Sequence, residues 1–368
     1  MLARDGTGYF SSTTIHCQSC RQKVHRNGSI TYDHQLLGAA IIHPDFRAVM
    51  PLMPEPIMQH DGTAKNDGER QAAKRFIVKL RQDHPPLTFI VTEDSLSSNA
   101  PHIETLHEHG CHSMLGVKEG EHAYLFQQVQ AAEEAGRVTD DERHDRAAGV
   151  VHRFRFVNNV PLNASRADVR VHCMEYWETG KDKVQHCSWV TNLRGSKRNV
   201  YPLMRGGRAR WKMENATCKT LKNQGDHLQH NYGHGEPNLS VVCATIMMLA
   251  FLVDQTPQLC WALFRAVWAT LGSKRLVWER LRAVFYGYHL TSMCELLEAL
   301  FYGYERHRPL LITDTSSFPP VSLSVFLHEA GDSQSSLASS AQITQWICFH
   351  PTIAPLLITI RQASRQNG

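Results

Sequence analysis

The sequence predicts an α/β fold, interrupted by a block of antiparallel strands and followed by a helical C-terminal part. Three observations support this. Short apolar stretches alternate with helical patterns up to about residue 118, residues 152–193 alternate between apolar and polar, and residues 239–304 are apolar at helical spacing. Alternating strands and helices indicate a central sheet covered by helices. We predict four parts: a first core part (1–118), an inserted β-subdomain (119–194), a last core part (195–304) and a tail of uncertain structure (305–368).

The first part of the chain carries a series of strand and helix signals. MLARDGTGYFSS predicts the end of a strand followed by a turn. Asn99 is expected to cap a helix that stops at Gly110. The remaining predictions are strands at 32–44, 49–57, 88–94 and 111–118, and a helix over 66–85.

The middle of the chain shows the period-two alternation of half-buried strands, at 152–160, 168–178 and 184–193. Its two tryptophans, Trp177 and Trp189, could pack the insertion onto the sheet or stack on an extruded base. Packing is the favoured interpretation. A helix is expected next, over 208–225, ended by Gly225.

Composition narrows the class of protein. Apolar residues make up 42% of the 368 residues, which favours a folded chain. The longest apolar run, 239–253, is shorter than the roughly 20 residues that span a bilayer, so we expect a buried core helix and no membrane partner. The first residues show no signal-peptide pattern. Ten scattered cysteines suit a reducing compartment better than a disulfide scaffold.

The positive charge is concentrated in one stretch. From Arg194 to Lys222 the chain has nine Lys or Arg residues and a single acid, Glu214. Glu214 could be an ordinary surface partner of Arg210, four residues before it. It could also be a metal-binding carboxylate among groups that hold phosphate.

Two aspartates lie where a catalytic acid is expected. Asp94 ends the strand predicted at 88–94, and Asp5 follows the expected first strand. Active sites of open α/β sheets lie at the carboxyl ends of strands. Together with Glu214, these side chains could hold two Mg²⁺ or Mn²⁺ ions about 4 Å apart. With 35 acids in the chain, two strand-end aspartates also arise by chance, so both interpretations stay open.

Four stretches, in a fixed order, carry a resemblance to a known family: DGTGYFSS, TEDSLSSNAPHIETL with MLGVKEGEHAYLF, SKRNVYPLMRGGRARWKMEN, and LKNQGDHLQHNYGHG. They resemble the DDE transposases of bacterial insertion sequences, in the branch with a β-strand insertion between the second and third acids. The resemblance covers about residues 1–300. It implies an RNase H-like mixed sheet flanked by helices, and two-metal DNA cleavage and strand transfer.

The resemblance implies that Asp5, Asp94 and Glu214 are the catalytic and metal-binding acids. Arg210 matches the family's arginine four residues before the last acid. The family's tyrosine position is occupied by Gly207. Its lysine, seven residues after the last acid, falls on Leu221, and Lys222 follows one residue later. We expect the basic residues around Glu214 to hold DNA phosphates; they are Arg198, Arg205, Arg208, Arg210, Lys212, Lys219 and Lys222.

The resemblance also implies the partners, which are double-stranded DNA at transposon ends and target sites, and a second copy of the chain in a DNA-bound homodimer. The compartment implied is the bacterial cytoplasm, at the nucleoid. Family members carry a helical region before the first acid, whereas this chain begins four residues before Asp5. We therefore expect a truncated transposase that lacks most of the first strand. The alternatives are a catalytically inactive remnant that only binds DNA, and a chain that folds poorly.

Cys17 and Cys20 form a C-x₂-C pair, which is half of a zinc site. A second such pair is absent, so His25 and His34 would have to supply the other ligands. The candidate site is Cys17, Cys20 and His25. The alternative, which the sequence favours, is a tight turn with two reduced thiols. HNYGHGE (230–236) could line the active site or end it.

Overall fold

The computed structural model describes residues 1–61, 65–180, 184–223, 227–234, 238–288 and 292–303. The chain divides into two units, of which the first is Met1–Asn223 and the second begins at residue 224. The predicted tail, 305–368, and the predicted helix cap at Gly225 lie outside the described residues.

The first unit is built on one sheet, in which the described residues form eleven strands. The strands are β1 (Leu2–Ser12), β2 (Arg21–Val24), β3 (Ile30–Ile41), β4 (Met50–Pro51), β5 (Glu55–Ile57), β6 (Ile90–Glu93), β7 (His112–Gly116), β8 (Thr139–Asp145), β9 (Val150–Pro161), β10 (Arg170–Thr179) and β11 (Val184–Thr191). The helices of this unit are α1 (Lys65–Asp83), α2 (Ala100–Glu108), α3 (Ala123–Glu134), α4 (Val200–Arg208) and α5 (Lys219–Asn223). A π-helix, Met213–Cys218, precedes α5.

The sheet is mixed, and β1 lies at the junction of its two kinds of pairing. The strand order is β2-β3-β1-β6-β7-β11-β10-β9-β8, with β4 and β5 also paired to β3. β1 is antiparallel to β3 and parallel to β6, and β6 is parallel to β7. The predicted α/β class, a mixed sheet flanked by helices with an antiparallel insertion, is confirmed.

β1 is longer than the sequence suggested. It runs from Leu2 to Ser12 and pairs with β3 along this length, with an irregularity between Gly8 and Phe10. Asp5 lies inside the strand, opposite Gly38. The predicted turn after Asp5 is wrong, and so is the expectation that most of the first strand is missing. Hydrogen bonding to β3 holds the glycine-rich stretch extended, against the local preference of glycine for turns.

The inserted strands extend the same sheet. β11 pairs antiparallel with β7, and β10, β9 and β8 follow in turn. The segment predicted as an insertion, 119–194, therefore belongs to the first unit, and its boundaries stay a prediction. Sequence analysis did not predict β8, because TDDERHD has no apolar alternation. It is the mostly exposed edge strand of the sheet.

Both faces of the sheet are covered by buried side chains. Under α1, α2 and α3 lies a core that includes Leu2, Phe76 and Ile103. The other face carries a second core, with Trp189 and Met204 from α4 among its members. Trp189 of β11 is only 6% exposed and packs in this core beside α4, so it is not placed to stack on a base.

Residues 239–302 of the second unit are largely helical where the structure describes them, as predicted for 239–304. Its helices are α6 (Leu239–Cys260), α7 (Ala262–Leu271), α8 (Lys274–Gly287) and α9 (Met293–Tyr302). Residues of α7, α8 and α9 share one core, which includes Phe264, Val277 and Leu297. α6 is longer than the apolar run that predicted it. By length and composition alone it could cross a membrane, which is weak evidence because core helices of soluble proteins meet the same criteria.

Candidate active site

Two aspartates meet where β6 ends. Ala3 of β1 pairs with Thr92 of β6. Asp5 and Asp94 each follow two residues later in the chain, and Asp94 acts electrostatically on Asp5. Neighbouring strands lie about 4.8 Å apart. β6 ends at Glu93, so Asp94 lies at the carboxyl end of a strand, where α/β sheets bind their ligands. The sequence prediction placed Asp94 correctly and Asp5 in the wrong local structure.

The turn that carries Asp94 is held against β7. The Asp94 carboxylate accepts a hydrogen bond from the Leu96 backbone N–H (3.2 Å) and caps a 3-10 turn, Ser95–Ser97. Ser98 donates a hydrogen bond to the Gly116 carbonyl oxygen (2.5 Å). A Cβ atom on Gly116 would lie 3.4 Å from the Ser95 nitrogen. The turn therefore packs directly on the backbone of the neighbouring strand.

The third acid approaches Asp5 from one face of the sheet. Gly38 lies opposite Asp5 in β3, and a Cβ atom on Gly38 would lie 2.5 Å from the Met213 Cε atom. Residues directly opposite each other in an antiparallel pair project to the same face. Met213 begins the π-helix, and Glu214 follows it. Gly38 thus makes room for the glutamate segment beside Asp5.

The π-helix gives Glu214 a partner that an α-helix would not. The Lys219 backbone N–H donates to the Glu214 carbonyl oxygen, five residues earlier. The Lys219 Nζ atom lies 2.9 Å from Glu214 Oε1. This hydrogen bond lowers the pKa of Glu214. Residues five apart diverge around an α-helix, whose neighbours are three and four apart. π-turns are frequent at functional sites.

The carboxylates act on one another electrostatically. Burial raises the pKa of Asp5 to about 6, against an opposing effect of Arg210 and with a further increase from Asp94, Glu69 and Glu214. Four carboxylates and one guanidinium therefore lie within electrostatic reach at this end of the sheet. Arg210, which matched the resemblance, acts on both Asp5 and Glu214.

Glu69 is a member of this cluster that sequence analysis missed. It lies on α1, and a Cβ atom on Gly6 would collide with its Oε1 atom. Asp5, Glu69 and Asp94 line one cleft together with Asn99. A glycine inside a strand marks a close approach by another group, and Gly6 was the signal that could have pointed to one.

A compensated charge cluster adjoins this site. Glu93 is buried, with its Oε1 atom 2.7 Å from Arg4 Nη2 and its Oε2 atom 3.0 Å from His102 Nε2. Arg4 also donates to the Ala73 carbonyl oxygen of α1 (3.3 Å). Burial alone would raise the pKa of Glu93, but Arg4 and His102 outweigh it and hold that pKa well below its usual range.

Besides Lys219, which pairs with Glu214, three of the residues predicted to bind DNA are engaged within the chain. The buried Lys212 ammonium donates to carbonyl oxygens of the loop after β3, namely His43 (2.5 Å), Pro44 (3.0 Å) and Phe46 (2.6 Å). Arg205 pairs with Asp45. Arg208 pairs with Glu178 and donates to Gln185 Oε1 (3.0 Å). These three side chains secure α4 and its surroundings, and a phosphate contact would have to replace those bonds.

The other predicted DNA contacts lie on more open surface. Arg198 is exposed, Lys219 is exposed beside Glu214, and Lys222 is half-buried. The family's lysine position, Leu221, is 1% exposed and lies in the core. No DNA contact is tested by this geometry, and all seven stay predictions.

The candidate zinc ligands are only partly brought together. Cys17 and Cys20 lie side by side, and the histidine next to both sulfur atoms is His34. His25 instead forms a hydrogen bond with Thr31 Oγ1 (2.7 Å).

Comparison with known proteins gives little. No described protein family matches the chain, and no curated protein is significantly similar to it. Among solved structures, the chain is similar to a piggyBac transposase in a cryo-EM synaptic complex with hairpin DNA, at 8% identity and a TM-score of 0.36. The similarity covers 82% of this chain and 51% of that one, so the chain spans about half that protein's length. At this level the likeness defines neither the fold nor the activity, which rest on the chain's own topology and residues.

Proposed function

We propose that this chain is the catalytic part of a DDE transposase, which cleaves DNA and transfers the cut strand using Asp5, Asp94 and Glu214. The observation that carries the proposal is the meeting of the three acids. They come from a strand interior, a strand end and a π-helix, yet Asp94 and Glu214 both act on the pKa of Asp5. The four ordered motifs that resemble these transposases include all three acids.

The donor set fits a hard divalent cation, Mg²⁺ or Mn²⁺. Every candidate ligand is a carboxylate, which is the group such ions prefer. Burial, together with repulsion by the neighbouring acids, raises the pKa of Asp5, and a bound cation would offset both. Two such ions, held by the three acids, would activate a water molecule and stabilise the leaving 3′ oxygen of DNA.

The chain's own residues have separate tasks in this proposal. Asp5 of β1 and Asp94, which follows β6, would bind the cations from the sheet. Glu214 would bind them from the π-helix. Arg210 balances part of their charge, and Lys219 holds the Glu214 side chain until cation or DNA displaces it. Arg198 and Lys222 are the open cations for DNA phosphates. The partner is double-stranded DNA at transposon ends and target sites, bound by a homodimer in the bacterial cytoplasm.

The test is nicking of supercoiled plasmid by the full chain with Mn²⁺ or Mg²⁺. Asp5→Asn, Asp94→Asn and Glu214→Gln should each abolish nicking while plasmid binding at low salt persists. The matched controls are Asp83→Asn and Glu134→Gln, which remove acids from surface helices outside the cluster. These should nick like the native chain.

Two outcomes contradict the proposal. If the control variants lose as much activity as the three acid variants, nicking is not due to this site. If the native chain binds plasmid but never nicks it with either metal, the DNA-binding remnant is the better description. Salt dependence of that binding would then report the number of phosphate contacts.

A further inference from the structure

Two thiols and an imidazole converge beyond the end of β1. The Cys17 and Cys20 Sγ atoms are 3.7 Å apart, and the His34 Nε2 atom lies 3.6 Å and 3.3 Å from them. A tetrahedral zinc ion about 2.3 Å from each sulfur and about 2.0 Å from a ring nitrogen requires separations of about 3.8 Å and about 3.5 Å. The three side chains therefore already have the spacing of zinc ligands.

The backbone around these residues builds that spacing. The Cys20 N–H donates to the Cys17 carbonyl oxygen (3.1 Å), which closes a tight turn, and the Cys17 N–H donates to Cys20 Sγ (3.3 Å). His34 lies on β3 opposite Phe10, and its ring stacks on Tyr9 with centroids 5.8 Å apart. Cys20 and His34 are 1% and 3% exposed, so the strands and the turn fix both ligands in place.

We propose that Cys17, Cys20 and His34 bind a structural zinc ion that ties the segment after β1 to β3. Thiolate and imidazole are zinc ligands, whereas the acids at Asp5 would take a hard, oxygen-preferring cation. The two sites therefore select different metals. The three side chains fill three positions of a tetrahedron, and the fourth is taken by water or by a further side chain. This inference does not depend on the proposed transposase activity.

The proposed site differs from the candidate set of the sequence analysis in one ligand, because it uses His34 in place of His25. His25 was the candidate because it follows the cysteines closely in sequence. β2 and β3 form a hairpin in which Lys23 pairs with Thr31. His25 sits at the turn of that hairpin, and the return strand brings His34 back to the cysteines.

The test measures metal in the full chain, purified from zinc-supplemented medium without chelators. Elemental analysis should give one zinc per chain. Cys17→Ser, Cys20→Ser and His34→Asn should each lose it. The matched controls are His25→Asn and Cys260→Ser, a histidine and an exposed cysteine outside the cluster, and both should keep the metal.

Two further measurements keep the result decisive if a variant unfolds. Native chain stripped of metal and titrated with Co²⁺ should show the thiolate charge-transfer absorption, and Zn²⁺ should displace it and raise the melting temperature. Cys17→His, which keeps a ligand at that position, should still bind zinc.

The proposal is overturned if native chain contains no zinc and does not take it up, or if zinc persists in all three ligand variants. It is also overturned if Cys17 and Cys20 are found as a disulfide in protein purified under reducing conditions.

Discussion

Two pairs of neighbouring residues at the end of β6 have opposite electrostatic surroundings. Arg4 and Glu93 face each other in a buried cluster with His102, and the pKa of Glu93 is held well below its usual range. Asp5 and Asp94, one residue further along the same two strands, face other acids, and the pKa of Asp5 is raised to about 6.

The difference shows how one strand pair serves both structure and chemistry. Successive side chains of a strand project to opposite faces. One face is closed by α1 and α2, so charges there must be paired to be buried. The other face receives the π-helix with Glu214, and Glu69 of α1 reaches the same acids across Gly6. In the first cluster the charges are compensated, whereas in the second they oppose folding. In the proposed function, that repulsion favours the binding of a cation.

Breaking the compensated cluster should have the largest effect. Arg4→Leu leaves the Glu93 carboxylate buried without its arginine, so the free energy of unfolding should fall by about 3–5 kcal/mol. Urea-induced unfolding at pH 7 measures this. The double variant Arg4→Leu/Glu93→Leu should recover most of the loss, because no unpaired carboxylate remains.

The control for this prediction is Arg153→Leu. Arg153 forms an ion pair with Glu142 on exposed strand surface, with its side chain 64% exposed. Such pairs contribute about 1 kcal/mol or less. If Arg4→Leu and Arg153→Leu lower the free energy of unfolding equally, the buried ion pair contributes no more to stability than the exposed one.

Removing the charge of Asp5 should raise the free energy of unfolding, whereas Arg4→Leu lowers it. The folded-state pKa of about 6 lies above the ordinary value of 3.8, so the folded chain holds this proton more tightly than the unfolded chain. Ionisation of Asp5 therefore opposes folding, and its penalty grows as pH rises from about 4 to above 6. Asp5→Asn should be more stable than the native chain by up to about 3 kcal/mol at pH 7.5.

The pH dependence of that difference is the sharper measurement. Urea unfolding at pH 4, 5.5 and 7.5 should show the gain disappear toward pH 4, where Asp5 is protonated in both states. The buffer should contain no Mg²⁺ and no chelator, since a chelator would also remove zinc. Adding Mg²⁺ should narrow the gap at pH 7.5. A gain that is the same at every pH would contradict the assignment.

Filling the space at Gly38 tests how the π-helix is seated. Gly38→Ala places a methyl group 2.5 Å from the present position of Met213 Cε, which must move. Because that atom ends a flexible side chain, we expect the free energy of unfolding to fall by only about 1 kcal/mol. The rate of plasmid nicking should fall clearly, because the segment that carries Glu214 must shift. Gly8→Ala is the control, since its nearest neighbour would be 3.9 Å away. Equal nicking by both variants would contradict the role given to Gly38.

Removing the fourth carboxylate should have the smallest effect. Glu69→Gln takes away one of the charges that raise the pKa of Asp5, so this pKa should fall toward its ordinary value. The gain in stability should be below about 1 kcal/mol at pH 7.5. An NMR titration of the aspartate carboxyls, with Glu134→Gln as control, measures the shift. An unchanged Asp5 titration would exclude Glu69 from the cluster.

Local signals in the sequence predicted much of the fold. Asn99 caps α2 by accepting a hydrogen bond from the His102 N–H (3.1 Å), and Gly110 adopts the left-handed backbone expected after that helix. The strand ending at Asp94 and the alternating strands of the insertion were also predicted. In each case the stretch itself contains the cap, the glycine or the apolar period that determines the element.

The missed features depend on contacts between distant segments. Asp5 stays in a strand because β3 and β6 flank it, although Gly6 and Gly8 locally favour a turn. Glu69 reaches the acids across Gly6 from a helix more than sixty residues later. His34 reaches the cysteines through the register of a hairpin. These contacts join segments that are distant in the sequence, so they cannot be predicted from the spacing of residues. They form only when the strands pair in the sheet.

The π-helix also accounts for an apparent mismatch in spacing. The resemblance expects a lysine seven residues after the last acid, which is nearly two full turns of an α-helix and so the same side. Here that residue is the buried Leu221, and Lys222 follows. A π-turn takes up one additional residue, as the bond from the Lys219 N–H to the Glu214 carbonyl shows. Eight residues across this bulge therefore sweep about the same angle as seven in a regular helix. The additional residue that the π-turn takes up therefore leaves the angle between Glu214 and Lys222 around the helix axis about the same as that between residues seven apart in a regular helix.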